Sequence, residues 1–225
     1  MSLRPDPAPR LSRELVAIRC LRLLRRGWTV NLGVGLPTLV VQFIQPGDGI
    51  TLHVESGVLG AGPAGDPPWD PDLIDAQGQP ISLLAGAGII GSCQAFAMVR
   101  GGHLDAAVLG GMQVSAGGDL ANWKKPSKGL GGIGGAMDIA QGARRVIVAM
   151  HHTQPNGELR LVERCTLPLT APRCVEVVVT DCAVIRFVDG TPTLCEVADG
   201  WRPEDVQAIS GFPLKVAETV TRFDI

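Results

Sequence analysis

The segment Thr29-Val30-Asn31-Leu32-Gly33-Val34-Gly35-Leu36-Pro37 carries the pattern that decides the fold class. Its first four residues predict a short strand, and the two glycines predict the loop that follows it. Pro37 favours the first turn of a helix over residues 38–44, because a first-turn residue needs no N–H donor. The segment is therefore a strand, loop and helix unit, which is typical of α/β proteins.

Strands and helices continue to alternate on both sides of this unit. Before it, leucine and isoleucine at helical spacing predict an amphipathic helix over residues 12–26, and Gly27 marks its end. After it, the apolar runs predict strands at 50–54, 81–84, 106–109, 145–150, 175–180 and 183–188, and helices at 92–100, 136–142 and 203–210. Such alternation implies a parallel sheet with crossover helices.

Two stretches depart from the alternation. Residues 183–197, interrupted at Asp189-Gly190, predict an antiparallel hairpin. Residues 57–80 are rich in Gly, Pro and Asp and predict a long irregular loop, a kind of segment that often carries function. No internal repeat or linker divides the chain. We therefore expect an α/β fold with a single domain, whose largely parallel sheet is flanked by helices.

Composition and charge exclude several classes of function. The chain has 225 residues, 45% of them hydrophobic, which is enough for a packed core. Its net charge of -2 and the lack of a long basic run argue against nucleic acid as a partner. No apolar run reaches the ~20 residues that span a bilayer, and residues 1–13 lack the apolar core of a signal peptide. We expect a soluble, cytoplasmic protein that does not bind membranes.

The cysteines and histidines do not form a metal-binding pattern. The six cysteines include no CxxC pair, and none has a histidine at ligand spacing. Four of them lie in apolar runs, where buried free thiols are common. His151-His152 is a pair without a third ligand nearby in the sequence. We therefore expect neither a metal site nor a redox centre.

A carboxylate and an amide follow two neighbouring predicted strands. Asn31 lies in the strand that enters the glycine loop, and Glu55 ends the next strand. Ligands tend to bind at the carboxyl ends of strands in open α/β sheets, and consecutive strands often lie close together. Glu55 then suits a nucleophile and Asn31 an oxyanion donor. The alternative is structural: Glu55 pairs with an arginine, and Asn31 caps a turn.

A second candidate is the glycine-rich stretch of residues 128–138, which leads into a predicted helix. Backbone N–H groups at such a position can bind a phosphate, or can stabilise a developing oxyanion. The stretch is not a P-loop, because Lys128 precedes the glycines. A close crossing of two backbones explains the glycines equally well.

Seven motifs in order resemble one known family. They are Asn31-Leu32-Gly33-Val34-Gly35-Leu36-Pro37, Glu55-Ser56-Gly57-Val58-Leu59-Gly60, Arg100-Gly101-Gly102-His103-Leu104-Asp105, Leu109-Gly110-Gly111-Met112-Gln113-Val114, Gly118-Asp119-Leu120-Ala121-Asn122-Trp123, Gly134-Gly135-Ala136-Met137-Asp138 and Cys165-Thr166-Leu167-Pro168-Leu169-Thr170. Together they resemble the B (beta) subunits of the 3-oxoacid and 3-oxoadipate coenzyme A-transferases, which are family I CoA-transferases. The resemblance runs from about residue 13 to about residue 210. It implies the CoA-transferase (NagB/RpiA-like) fold over residues 13–225, after an N-terminal tail of residues 1–12.

The resemblance also implies roles for single residues. Glu55 corresponds to the nucleophile of the family, and Asn31 and the backbone N–H of Gly135 correspond to its oxyanion donors. The substrate and CoA would lie against Gly33, Gly35, Gly57, Lys128 and Gly134. Two departures, Val54-Glu55-Ser56-Gly57 in place of Ser-Glu-Asn-Gly and Gly62-Pro63-Ala64-Gly65 in place of Gly-Pro-Tyr-Pro, leave open which carboxylic acids are accepted. His151-His152 stands where relatives tend to carry Glu-His, a change to which the resemblance assigns no role.

The implied reaction moves CoA between a short-chain acyl-CoA, such as succinyl-CoA or acetyl-CoA, and a 3-oxoacid or other short carboxylate. It would run through a glutamyl-CoA thioester on Glu55, with CoA as a substrate and no permanently bound cofactor. Relatives work beside an A (alpha) subunit, in heterodimers or heterotetramers, in ketone-body or aromatic degradation. Two alternatives stay open: a non-catalytic regulatory protein that binds acyl-CoA, and a CoA-ester hydrolase.

Overall fold

The computed structural model describes residues 5–75, 77–124, 132–223 and 225. Its helices are α1 (Arg13–Leu21), α2 (Ser92–Arg100), α3 (Ala136–Gly142) and α4 (Pro203–Ala208), with short 3₁₀ helices at Pro37–Phe43 and Pro46–Asp48. The strands are β1 (Thr29–Leu32), β2 (Thr51–Val54), β3 (Val58–Pro63), β4 (Ile81–Ile89), β5 (Ala106–Gly110), β6 (Gln113–Ser115), β7 (Leu120–Ala121), β8 (Val146–Ala149), β9 (Leu161–Val162), β10 (Val177–Val179), β11 (Ala183–Val188), β12 (Thr191–Val197) and β13 (Lys215–Arg222).

One large sheet organises the described part of the chain. Its ten strands follow the order β13-β12-β11-β10-β8-β5-β1-β2-β3-β4, and β7, β6 and β9 form a separate three-stranded sheet. The central strands β10, β8, β5, β1 and β2 are all parallel, while β3, β4 and β11 pair antiparallel with their neighbours. The predicted α/β fold, with a largely parallel sheet flanked by helices, is confirmed.

Strands β5, β8 and β10 contribute to a hydrophobic core on both faces of the sheet, whereas β1 and β2 contribute to the core on one face only. In β5, Ala106 and Val108 pack with α1 and the 3₁₀ helix on one face, and Ala107 and Leu109 pack with α2 and α3 on the other. Successive side chains of a strand point to opposite faces, so a strand buried on both faces needs a continuous apolar run. This is why β5, β8 and β10 could be predicted from the sequence.

The predicted hairpin is confirmed, with β11 and β12 as its strands. Its two turn residues both have positive φ angles, 49° at Asp189 and 76° at Gly190. This is the conformation of a type I′ turn, which matches the twist of the flanking strands.

The predicted loop over residues 57–80 is wrong in its first part, because β3 pairs antiparallel with both β2 and β4. Gly60 and Gly62 interrupt the alternation of apolar and polar residues by which a strand is recognised in a sequence. At Gly62 a Cβ atom would lie 2.7 Å from Leu84 Cδ2, so glycine leaves room for the Leu84 side chain of β4. The strand exists because of its neighbours rather than its own pattern.

Other boundaries also differ from the predictions. Helix α1 ends at Leu21 instead of Arg26, and the helix predicted at residues 38–44 is a 3₁₀ helix at Pro37–Phe43. Strand β13 and the three-stranded sheet were not predicted. The two longest helices, α1 and α2, have nine residues each, so no helix of the described part reaches the length needed to cross a membrane.

Candidate active site

Asn31 and Glu55 lie together at the carboxyl ends of adjacent parallel strands. Asn31 in β1 pairs in register with His53 in β2, and Glu55 directly follows β2. The Asn31 Nδ2 atom donates to Glu55 Oε2 at 2.9 Å and to the His53 carbonyl oxygen at 3.1 Å. Asn31 is only 1% exposed, so its amide is held rigidly. The sequence therefore predicted this juxtaposition correctly.

The structural alternative for these two residues finds no support in the described part of the chain. There, no arginine or lysine forms an ion pair with Glu55. The Asn31 side chain bonds across to β2 and Glu55 rather than within a turn of its own. Glu55 is half-buried and is oriented by an amide donor, an arrangement suited to a carboxylate that must react.

His53 lies beside Asn31 and helps to hold the Asn31–Glu55 pair in place, a role that the sequence patterns did not predict. Its Nε2 atom lies 3.2 Å from the Ala95 carbonyl oxygen, so Nε2 carries the proton, and Nδ1 lies 3.4 Å from Asn31 Nδ2. Burial lowers the pKa of His53, which favours the neutral ring. His53 precedes Glu55 by two residues, and residues two apart in a strand point to the same face, here the face of Asn31. This spacing was the one signal in the sequence that could have indicated the role of His53.

Gly57 shapes the turn that begins at Glu55. Its φ angle is +123°, and a Cβ atom there would lie 2.1 Å from the Ile90 carbonyl oxygen. The Gly57 N–H donates to the Val54 carbonyl oxygen at 2.9 Å, and its own carbonyl oxygen accepts from the Ile90 N–H at 2.9 Å. Both of its peptide groups are thus used within the chain, and its contribution to the site is the path of the backbone.

A cleft of about 500 Å³ opens next to Glu55. Its walls bring together three of the expected site glycines, Gly33, Gly134 and Gly135, with Met112 and Trp123. Gly35 does not line this cleft, and its N–H donates to Gln77 Oε1 at 3.1 Å. Lys128 lies outside the described residues. The cleft is large enough for an extended ligand.

Gly135 precedes α3 and faces this cleft. Its carbonyl oxygen accepts the Ile139 N–H at 3.0 Å, while its own N–H has no acceptor among the described residues. A Cβ atom at Gly135 would lie 2.7 Å from Phe96 Cζ. Glycine therefore leaves room for the Phe96 ring of α2 beside the turn that begins α3, and this turn carries an N–H donor at the cleft wall.

Three of the motifs meet at the wall of the cleft formed by Gly110, Asn122 and Trp123. Asn122 Nδ2 donates to the Gly110 carbonyl oxygen at 2.9 Å, and Thr170 Oγ1 donates to Asn122 Oδ1 at 2.6 Å. Trp123 Nε1 donates to the Leu169 carbonyl oxygen at 3.1 Å. These bonds hold the side chains of Asn122 and Trp123 in place on the wall of the cleft. Their motifs are visible in the sequence, but no local pattern indicated this role.

The histidine pair lies in a different environment from Glu55. Ring nitrogens Nδ1 and Nε2 of His152 lie 3.0 Å from Thr180 Oγ1 and Ser210 Oγ, and burial lowers its pKa to about 4. His151 Nδ1 lies 2.9 Å from Asp181 Oδ2. In the described part of the chain, no group of three or more His, Cys, Asp or Glu side chains is arranged to hold a metal ion.

The fold and the site define the class of protein. A ligand cleft at the carboxyl ends of parallel strands, with an oriented carboxylate at its rim, is the arrangement of an α/β enzyme. Comparison with known proteins identifies the family. The model of the coenzyme A transferase family matches residues 14–208, and this chain belongs to that family.

Close relatives carry CoA-transferase names. The chain is 46% identical over 206 residues to the beta subunit of the acetate CoA-transferase of Escherichia coli K12, covering 92% of this chain and 94% of that protein. It is 42% identical over 210 residues to the B subunit of a probable succinyl-CoA:3-ketoacid coenzyme A transferase of Bacillus subtilis, covering 93% and 97%. The chain is therefore an enzyme of the CoA-transferase class, for which CoA is a substrate.

A solved structure shares the fold. An acyl-CoA transferase of Escherichia coli O157:H7, described as a thioester complex with CoA, superposes with a TM-score of 0.77 at 21% identity. The match covers 96% of this chain but 44% of that longer chain, so this chain spans less than half of it.

Proposed function

We propose that this chain is the B subunit of a two-subunit CoA-transferase. It moves CoA between a short-chain acyl-CoA, such as succinyl-CoA or acetyl-CoA, and a 3-oxoacid or another short carboxylate. The observation that carries this proposal is the bond between Asn31 Nδ2 and Glu55 Oε2 at the rim of a large cleft. An oriented carboxylate is the nucleophile that acyl exchange through an anhydride needs.

The first half of the reaction loads CoA onto the enzyme. A Glu55 carboxylate oxygen attacks the thioester carbonyl of the acyl-CoA, the carbon–sulfur bond breaks, and CoA leaves as a thiolate. The product on the enzyme is a mixed anhydride of Glu55 and the acyl group. The thiolate then attacks the glutamyl carbonyl, which releases the first carboxylate and leaves a glutamyl-CoA thioester.

The second half reverses these steps with another acid. The acceptor carboxylate attacks the glutamyl thioester and expels the CoA thiolate, which then attacks the acyl carbonyl of the new anhydride. A new acyl-CoA leaves, and the Glu55 carboxylate is regenerated. Each attack places negative charge on a carbonyl oxygen. Asn31 Nδ2 already bonds to a Glu55 oxygen, and Gly135 lines the same cleft, so we assign the Asn31 amide and the Gly135 N–H as oxyanion donors.

The proposed partner is an A subunit. The names of the relatives designate a B or beta subunit, and this chain covers nearly the whole length of each. In the proposed assembly, a heterodimer or heterotetramer, the A subunit closes the open side of the cleft around CoA. Residues 13–225 form the transferase domain, and Gly33 and Gly134 lie along the CoA arm.

The test is covalent trapping in the reconstituted pair. Acyl-CoA followed by borohydride should inactivate the enzyme irreversibly, because hydride reduces the glutamyl-CoA thioester to an alcohol that peptide mass spectrometry finds at Glu55. Glu55→Gln should lose activity by at least about 1,000-fold and show no such product. Glu218→Gln, an exposed position on β13, is the matched control and should behave as the wild type.

Two outcomes contradict the proposal. Full activity of Glu55→Gln would remove the covalent mechanism. Release of free CoA from acyl-CoA at the same rate with and without an acceptor acid would identify a hydrolase instead of a transferase.

A further inference from the structure

The amide of Asn31 is held through its nitrogen alone. Three acceptors face Nδ2: Glu55 Oε2 at 2.9 Å, the His53 carbonyl oxygen at 3.1 Å and His53 Nδ1 at 3.4 Å. The other end of the amide, Oδ1, is buried and accepts no hydrogen bond from the described residues. A buried acceptor without a donor gains nothing from its position. The acceptors around Nδ2 therefore decide which way the amide points.

One of the three acceptors changes during the proposed reaction. In the resting enzyme Glu55 is a carboxylate, and hydrogen bonds to a charged acceptor are roughly twice as strong as bonds to a neutral one. In the mixed anhydride and in the glutamyl-CoA thioester the same oxygen is a neutral carbonyl oxygen. The bond that holds Nδ2 most strongly therefore weakens in the intermediates, when the next attack on the glutamyl carbonyl needs this donor.

The ring of His53 is an acceptor that the reaction does not change. Its Nε2 atom donates to the Ala95 carbonyl oxygen at 3.2 Å, so the lone pair of the neutral ring lies on Nδ1, toward Asn31. His53 is only 2% exposed, and burial lowers its pKa, which keeps the ring neutral at pH 7. A reversed amide would bring Oδ1 against both Nδ1 and the His53 carbonyl oxygen, and acceptors that face each other repel. The ring therefore opposes reversal of the amide.

We propose that His53 is a positioning residue, which keeps Asn31 Nδ2 directed at the Glu55 oxygen while Glu55 carries the acyl group or CoA. This inference rests on the proposed CoA exchange at Glu55. His53 does not line the cleft described above, so it acts through Asn31 rather than on the substrate. Its Nδ1 contact is the longest of the three, and the backbone carbonyl of residue 53 remains in every variant. The expected effect on the rate is therefore about tenfold, smaller than that of removing the Asn31 amide.

The first test compares three substitutions of His53 in the reconstituted pair. His53→Asn places a side-chain oxygen near the position of Nδ1, so it keeps the acceptor. His53→Gln places its polar group near the position of Nε2, and His53→Phe keeps only the ring, so both lose the acceptor. His53→Gln and His53→Phe should lower kcat by about tenfold and His53→Asn by less than about threefold, all with unchanged KM. His103→Phe, at an exposed histidine, is the matched control and should behave as the wild type.

The second test asks whether His53 acts through Asn31. Adding His53→Phe to Asn31→Ala should cause no further loss of kcat, because the amide that His53 positions is already absent. In rapid-quench experiments, enzyme loaded as the glutamyl-CoA thioester and mixed with acetate should form acetyl-CoA about tenfold more slowly in His53→Phe than in the wild type. Urea unfolding of each variant separates these effects from a loss of stability. If His53→Phe prevents folding, His53→Asn and His53→Gln carry the comparison.

Two results would overturn the role of His53. One is a further tenfold loss when His53→Phe is added to Asn31→Ala, which would assign the effect to the structure around His53. The other is an equal kcat in His53→Asn and His53→Gln. Failure of the proposed CoA exchange gives a different signature: Glu55→Gln stays active, no glutamyl-CoA thioester forms, and the role of His53 falls with it.

Discussion

The Asn31 amide nitrogen lies 2.9 Å from a carboxylate oxygen of Glu55, which follows the neighbouring parallel strand. The same nitrogen also donates to the His53 carbonyl oxygen, so both of its hydrogens are directed by the fold. In the proposed reaction the Glu55 oxygen becomes the carbonyl oxygen of the anhydride and of the thioester. A donor that already points at this oxygen needs no reorganisation when negative charge develops there.

Asn31→Ala should lower kcat by about 100-fold or more with little change in KM, because an oxyanion donor acts mainly in the transition state. Steady-state kinetics of the reconstituted pair measure the two constants. Asn156→Ala, at an exposed position, is the control for loss of an asparagine. A rise in KM with unchanged kcat would instead assign Asn31 to ground-state binding.

Gly135→Ala should reduce activity by about tenfold or more, because the new Cβ atom would lie 2.7 Å from Phe96 Cζ and displace the turn that carries the N–H donor. The double variant Gly135→Ala with Phe96→Leu should recover most of the loss, since it removes the ring. Gly88→Ala, where a Cβ atom meets nothing within 4 Å, is the control. No recovery in the double variant would show that the ring contact is not the cause.

Gly57→Ala should destabilise the protein by about 2–4 kcal/mol, because it combines a φ angle of +123° with a Cβ atom 2.1 Å from a backbone oxygen. Urea unfolding measures the change. Gly65→Ala is the matched control, because it has open space around its Cβ position and no positive φ angle. Equal stability of the two variants would contradict the strain at Gly57.

The protein should lose stability as the pH falls below 6.5. His152 has its pKa lowered from 6.5 to about 4 by burial, so between these values the unfolded chain binds more protons than the folded one. The free energy of unfolding then falls with decreasing pH, with a slope of up to about 1.4 kcal/mol per pH unit. Above pH 6.5 this contribution is constant.

Urea unfolding at several pH values from 7.5 to 4.5 checks the slope. His152→Gln should be less stable than the wild type at pH 7.5 but should lose less stability on acidification. His53, whose pKa is also lowered by burial, adds a slope of the same sign in both proteins, so the difference between them isolates His152. Parallel curves would contradict the assignment.

Replacing one partner of the ion pair between Arg19 in α1 and Glu196 in β12 should lower the free energy of unfolding strongly. Both side chains are buried, and they form two hydrogen bonds, one of them 2.7 Å between Nε and Oε2. Arg19→Met should cost about 3–5 kcal/mol, because it leaves Glu196 charged and unpaired. The double variant Arg19→Met with Glu196→Leu should recover most of that loss in urea unfolding. Equal instability of the single and double variants would assign the effect to packing.

The elements that could be predicted well from the sequence are those whose local residue pattern matches their burial in the fold. Helices α2 and α3 begin and end where predicted, and β8 and β10 lie within their predicted runs, because both faces of these strands are buried. Strand β3 was missed, because Gly60 and Gly62 break its pattern and its pairing with β4 compensates for them. Such compensation is a long-range effect that no local window contains.

The candidate site, like the fold, has parts that could be predicted from the sequence and parts that could not. The role of His53 was not predicted, since it depends on what packs against β2 rather than on β2 itself. Gly57 was expected to contact the substrate, and the structure gives it a different task in the turn after Glu55.

The sequence by itself determined the α/β class, the hairpin turn at Asp189-Gly190, and the presence of Asn31 and Glu55 at strand ends, because periodicity and turn chemistry are local properties. Only the tertiary structure decided that these two residues, separated by 24 positions, share a hydrogen bond. It also decided that Gln77, in the loop before β4, bonds to Gly35 and Thr38 in the segment after β1. The physical reason is that strand order and loop fastening arise from pairing and packing between distant segments, which local patterns do not specify.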